Sequence, residues 1–136
     1  MKSKFGDRLW TQSARSAKKY DLNLWEGESK AGLGKVKLHF GSNSGYQAIN
    51  LAYLLGASKI ILLGYDMQRD GEQVHFFGNH PYHKPGGGPT NSLMQDWCNN
   101  FVALARDLKN EGVEVINATR KTALTAFDRL PLEELC

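Results

Sequence analysis

Three short segments of the 136-residue chain hold the candidate residues for chemistry. The first is Gly41-Ser42-Asn43-Ser44-Gly45, a turn crowded with residues that cap helix N-termini. A helix N-terminus presents unpaired amides at the positive end of a dipole, which attracts phosphate or carboxylate. Gly45 has no Cβ, so a ligand can approach its backbone closely, and the hydroxyls of Ser42 and Ser44 would add hydrogen bonds. The same residues also suit an ordinary cap, because the segment is neither a P-loop nor a Gly-x-Gly-x-x-Gly. The second segment is Gly64-Tyr65-Asp66, directly after an apolar run. An Asp in that place suits a ribose hydroxyl, a metal or a proton transfer, and equally the capping of a turn. The third is His75-Phe76-Phe77-Gly78-Asn79-His80-Pro81-Tyr82-His83, which holds three of the four histidines. Imidazole is the usual general base near neutral pH and a common metal ligand. The histidine spacings fit no standard zinc pattern and no nearby Cys completes one, so no metal site is expected. A catalytic or phosphate-contacting His remains open, as does a polar loop that is merely His-rich. Pro81 restrains His80 toward extended geometry.

These segments need elements to position them. Residues 12–20 read as a short polar helix and Leu22–Trp25 as a strand. The glycines of residues 26–38 indicate a loop or hairpin, with a strand end at His39-Phe40. Residues 46–55 read as a helix that is apolar over most of its circumference, hence largely buried, with Gly56 closing it. Lys59–Leu63 is a continuous apolar run, the pattern of a central parallel strand covered on both faces. A long Gly-, His- and Pro-rich connection over 64–91 follows, of the kind that is usually functional. Leu93, Trp97, Phe101, Leu104 and Leu108 then form one apolar stripe on a helix over about 92–111, ended by Gly112. Val113–Ile116 reads as a strand and Pro131–Leu135 as one helical turn. Tyr46, Tyr53, Trp97 and Phe101 are expected in the core, and Trp10 and Trp25 over the sheet. Alternating strands and helices imply a single α/β domain, Rossmann-like in the broad sense, with right-handed parallel crossovers. Ligands in such sheets sit at the carboxyl ends of the strands, where the Ser42–Gly45 turn and the segment from Gly64 should meet.

Composition narrows the classes. Hydrophobic residues make up 41% and charged residues 23%, which excludes a disordered chain or a fibrous repeat. No apolar run approaches the ~20 residues of a membrane span, and no signal peptide is expected. The net charge is +3, and residues 1–20 alone carry +5. A solvated helix face explains that cluster, and nucleic acid is not an expected partner. Cys98 and Cys136 fit no disulfide framework, so the expected compartment is the reducing cytoplasm. Asn117-Ala118-Thr119 matches a glycosylation sequon and is discounted, because nothing indicates secretion.

The string Ser44-Gly45-Tyr46-Gln47-Ala48-Ile49, then Leu55-Gly56-Ala57 and Ile60-Ile61-Leu62-Leu63-Gly64-Tyr65-Asp66, resembles three groups of proteins. One is a set of prophage-encoded proteins of unassigned function. The second is the bacterial sialyltransferases that use CMP-activated sialic acid. The third is the domain family around archaeal 6-hydroxymethylpterin pyrophosphokinase. Val113–Asn117 followed by Ala123-Leu124-Thr125-Ala126-Phe127 also resembles the last strand and closing helix of the sialyltransferases. The resemblance covers residues 39–135 and leaves 1–38 as a basic N-terminal segment.

The resemblance to the sialyltransferases implies a metal-independent sugar transfer. Ser44 and Gly45 would hold the nucleotide, with Ser42, Asn43 and Gly64 around it, and Asp66 would orient the site. The family's base lies in a His-aromatic-hydrophobic-Gly-His string, matched here by His75-Phe76-Phe77-Gly78-Asn79-His80 with one residue inserted. His80 or His75 would therefore be the base. The phosphate-holding Gly-Asn-Gly-Pro-Ser type loop and its preceding strand have no counterpart, so the chain resembles the C-terminal part of a longer member. No firm cofactor is implied; a CMP-type nucleotide or nucleotide sugar is the expected ligand. A non-catalytic phage accessory protein of the same fold and a Mg²⁺-dependent pyrophosphokinase-like activity are the alternatives. A sheet edge left open by a missing strand would favour a homo-oligomer.

Overall fold

The structure is a computed structural model that describes residues 9–69 and 87–135. The His75–His83 segment, with the candidate bases His75 and His80, lies outside the described residues. The described chain is mixed α/β, and every strand pairing in it is parallel. Strand β1 (Trp10–Thr11) leads into helix α1 (Ala14–Tyr20), which returns the chain to β2 (Asn23–Leu24) beside β1. Ser13 caps α1, its side chain accepting from the Ser16 amide at 3.2 Å. Strand β3 (Gly27–Glu28) pairs with β4 (Leu38–His39), Gly27 opposite Leu38.

Helix α2 (Ser44–Leu54) follows, capped by Asn43, and Gly56 closes it with a positive φ of 88°. Strand β5 (Lys59–Leu62) comes next, then helix α3 (Asn91–Asn110), strand β6 (Glu114–Asn117), strand β7 (Asp128–Arg129) and a 3₁₀ turn, Leu132–Glu134. β6 lies between β5 and β7, with Ile60 opposite Val115 and Ile116 opposite Asp128. Among the described residues no helix is long and apolar enough to cross a membrane.

Several expectations need correction. The hairpin reading of residues 26–38 fails, because its two ends pair in parallel. The chain between them is drawn inward, with Leu33 buried in the main core, and so arrives at β4 running in the original direction. The β5 run is not covered on both faces. Leu62 is buried and Ile60 packs on the core, while Ile61 is 42% and Leu63 57% exposed. The side-chain period of two thus splits this apolar run between a covered and an open face. α2 is less buried than its composition implies: Tyr46, Ile49 and Asn50 form its buried face, and Leu55 beyond it is 60% exposed.

On α3, Phe101, Leu104 and Leu108 are fully buried as expected, but the stripe continues through Met94 and Cys98. Leu93 is exposed and Trp97 half-buried, since two helical turns back from Phe101 fall on Met94. The closing helix implied for Ala123–Phe127 is absent. That stretch is irregular, sends Leu124 and Phe127 into the core, and ends in the unanticipated β7.

Phe101 is the hub of the core. Its ring lies 5.3 Å from Tyr46, 6.0 Å from Phe127 and 6.3 Å from Tyr65. These tilted and edge-on contacts join α2, the residue run after β5 and the approach to β7 through one side chain of α3.

A second bond set pins residues 32–39 to the helices. Asn50, fully buried, accepts from the amides of Gly34 at 3.0 Å and His39 at 2.9 Å, and donates to the Gly34 carbonyl at 2.8 Å. Tyr46 donates its hydroxyl to the Gly32 carbonyl at 2.7 Å, and burial pushes its pKa up to about 12. From α3, Asp107 accepts from the Leu33 amide at 3.0 Å, a bond that holds its carboxyl below the ordinary range.

Two expected outcomes follow from this pinning. Replacing Asn50 with Leu leaves two amides and a carbonyl without their partner, and should cost about 2–4 kcal/mol in urea unfolding. A loss under about 0.5 kcal/mol would show that residues 32–39 do not depend on it. Asp107 should govern part of the acid response. Its folded pKa lies below the unfolded one, so its stabilisation is complete above the unfolded value and disappears as pH falls through the folded value. Between about pH 5 and 2, wild type should therefore lose more stability than Asp107→Asn, measured as the difference in urea midpoints.

Candidate functional site

The parallel sheet dictates where the site can be. β5, β6 and β7 run in one direction, so their carboxyl ends open at one side of the sheet. A cleft of about 550 Å³ lies there. Leu63 and Gly64 follow β5, Ala118, Thr119 and Arg120 follow β6, and Arg129 of β7 is followed by Leu130–Glu133; all of them line the cleft.

Side-chain hydroxyls and one amide hold the walls together. The Tyr65 amide donates to the Thr119 hydroxyl at 2.9 Å, and the Thr122 hydroxyl donates to the Tyr65 carbonyl. Asn117, only 1% exposed, accepts from the Thr119 amide at 3.1 Å and donates to the Leu124 carbonyl at 3.2 Å. Its side chain is therefore committed to the interior. The Ala123 amide donates to the Asp66 carbonyl at 2.8 Å. The Tyr65–Thr119, Thr122–Tyr65 and Ala123–Asp66 links join the segment after β5 to the connection between β6 and β7, while the Asn117 bonds fold that connection on itself. Arg129 ties β7 to the same connection, one terminal nitrogen donating at 3.1 Å to the carbonyls of both Thr119 and Arg120.

The expected site residues divide among several places. Gly64 lines the cleft, and Asp66 lies two residues further on with its side chain exposed. The Ser-rich turn meets this region through one contact, the Tyr65 hydroxyl donating to the Gly45 carbonyl at 3.0 Å. Burial raises the Tyr65 pKa, so its phenol stays protonated for that bond. The missing Cβ of Gly45 serves this contact, because a Cβ there would sit 2.7 Å from Cε1 of Tyr65. Asn43 is occupied as the α2 cap, accepting from the Tyr46 amide at 3.1 Å. Ser42 is exposed with φ of 59°. Ser44 faces a different, shallower hollow of about 320 Å³, shared with Gln47, Trp10 and Trp25. The two indoles lie 4.6 Å apart and line that hollow.

Thr119, Arg120 and Arg129 were not anticipated. The rule that selected Gly64–Asp66, inspection of the residues just after a strand, applies equally to the strand ending near Ile116, and would have found Thr119 and Arg120. Arg129 gives no such signal, because a two-residue strand leaves no pattern. Among the described residues no group of three or more His, Cys, Asp and Glu side chains is placed to hold a metal. Comparison with known proteins finds no match: no family model fits the chain, and no curated protein or solved structure is significantly similar to it.

Gly45→Ala should force the Tyr65 ring to move and lower stability by about 1–3 kcal/mol. In a double-mutant cycle with Tyr65→Ala most of that loss should vanish; a fully additive pair would show that the two residues do not touch.

Proposed function

We propose that the chain binds a nucleotide or nucleotide sugar in the cleft at the carboxyl ends of β5, β6 and β7, as a Rossmann-like domain of sialyltransferase-like character. The observation that carries this reading is the convergence of three parallel strand ends on one concave surface, the position at which open α/β sheets receive such ligands. The Tyr65–Gly45 bond supports it further, because it sets the Ser-rich turn against the segment after β5.

In a transfer reaction, His80 or His75 would take the proton of an acceptor hydroxyl while its oxygen attacks the sugar carbon and the nucleotide leaves. Asp66 would orient the acceptor or the base. Fold alone does not select this chemistry, since related scaffolds host different reactions.

The test is an NMR titration of isotopically labelled protein with CMP, CTP and ATP, each with and without Mg²⁺. Shifts on adding CMP, without a metal requirement, should concentrate on Gly64–Asp66 and Thr119–Arg120 and extend to Ser42–Gly45. Shifts that require ATP with Mg²⁺ would replace this reading with a pyrophosphoryl transfer. Silence at millimolar ligand would remove the nucleotide and leave a non-catalytic protein of this fold.

A further inference from the structure

We propose that Arg120 and Arg129 form a phosphate-gripping pair in the carboxyl-end cleft, which specifies the ligand as a phosphate-bearing molecule. The inference rests on the reading of that cleft as a ligand site, and goes beyond it by naming the groups that would recognise the ligand. Arg129 is oriented before any ligand arrives, because its terminal nitrogen spans the Thr119 and Arg120 carbonyls at 3.1 Å each. That anchorage occupies one terminal nitrogen of the fork. That nitrogen is Nη2, which takes part in both two-donor edges of the guanidinium, so the Nε–H and the Nη1 protons remain as single donors aimed in different directions.

Arg120 lies on the same cleft, exposed, immediately after the Thr119 that builds its wall. Among the described residues neither guanidinium forms an ion pair. Among the described lining residues Glu133 is the one acidic side chain, so there two cations face a single carboxylate. Two unpaired arginines on one concave surface suit a ligand that brings its own negative charge. A phosphate suits them better than a carboxylate: it carries more acceptor oxygens and more charge to share between the single donors left on Arg129 and the guanidinium of Arg120.

The probes are inorganic pyrophosphate and phosphate, with acetate as the carboxylate control, followed through the arginine Nε–H signals of labelled protein at low ionic strength. Pyrophosphate should shift the signals of both arginines saturably. Arg120→Gln should weaken its binding about tenfold, and Arg129→Lys by a similar factor although the charge is kept, because an ammonium does not reproduce the planar group that spans the two carbonyls and still donates to the ligand. Among the described residues Arg120 makes no side-chain bond, so Arg120→Gln keeps the test decisive even if Arg129→Lys unfolds.

Undiminished pyrophosphate binding by Arg120→Gln, or acetate shifting the same signals at the same concentration, would overturn the proposal. CMP binding in the cleft that is indifferent to both substitutions would also overturn it while leaving the nucleotide reading intact. Pyrophosphate captured by the two arginines with no response to any nucleotide would uphold the pair and remove the nucleotide reading instead.

Discussion

The carboxyl end of the sheet depends on a buried amide. Asn117 ends β6 with its side chain almost inaccessible, and it binds the chain on both sides of the turn that follows. Parallel neighbours need a crossover, which is usually a helix covering the sheet. Between β6 and β7 no helix forms. The crossover is held by Asn117, Thr119 and Thr122, whose side chains supply partners that a helix would have supplied from its own backbone. Such a network is favourable only while all members are satisfied, since an orphaned buried amide costs more than its bond contributes. The cleft wall and the sheet register therefore stand on the same few polar atoms.

The hydrophobic side of the same arrangement is Phe101. Its contacts with Tyr46, Tyr65 and Phe127 bind the long helix to three separate parts of the chain. Tyr65 belongs to both systems: its ring packs on Phe101, its backbone joins the Thr119–Thr122 network, and its hydroxyl reaches Gly45. Position of the Ser-rich turn relative to the cleft is thus set by packing and hydrogen bonding acting through one residue.

The elements with strong periodicity were legible in the sequence. The helix over Asn91–Asn110, the apolar strand at Lys59–Leu62 and the capped turn before Tyr46 all follow from spacing and residue type. The parallel pairing of β5 with β6 was legible as well, from the alternation of helix and strand, whereas that of β3 with β4 and of β6 with β7, whose crossovers contain no helix, was not. Burial was less so. An unbroken apolar run such as Lys59–Leu63 states composition but not how many faces are covered, and nothing in it separates Leu62 from the exposed Leu63. Asn50 gives no warning of its role, because its three partners lie 11 to 16 residues away in a glycine-rich stretch. The same limit hid Arg129, whose carbonyl partners are 9 and 10 residues distant on an irregular path. Gly45 was selected for the right property, the missing Cβ, but the space admits Tyr65.

The pinning of residues 32–39 has a consequence for how the molecule opens. Much of that segment lacks regular structure, and in most proteins such a stretch opens at little cost. Here the amides of Leu33, Gly34 and His39 are bonded to side chains that belong to two helices. Freeing any of them takes a partner from Asp107 or Asn50, and for Asn50 that vacancy lies in the interior. The segment is therefore thermodynamically part of α2 and α3, and its solvent exchange should track those helices rather than the irregular chain around it. Irregular backbone and regular helix then form one cooperative unit, whose boundary follows side-chain bonds instead of secondary structure.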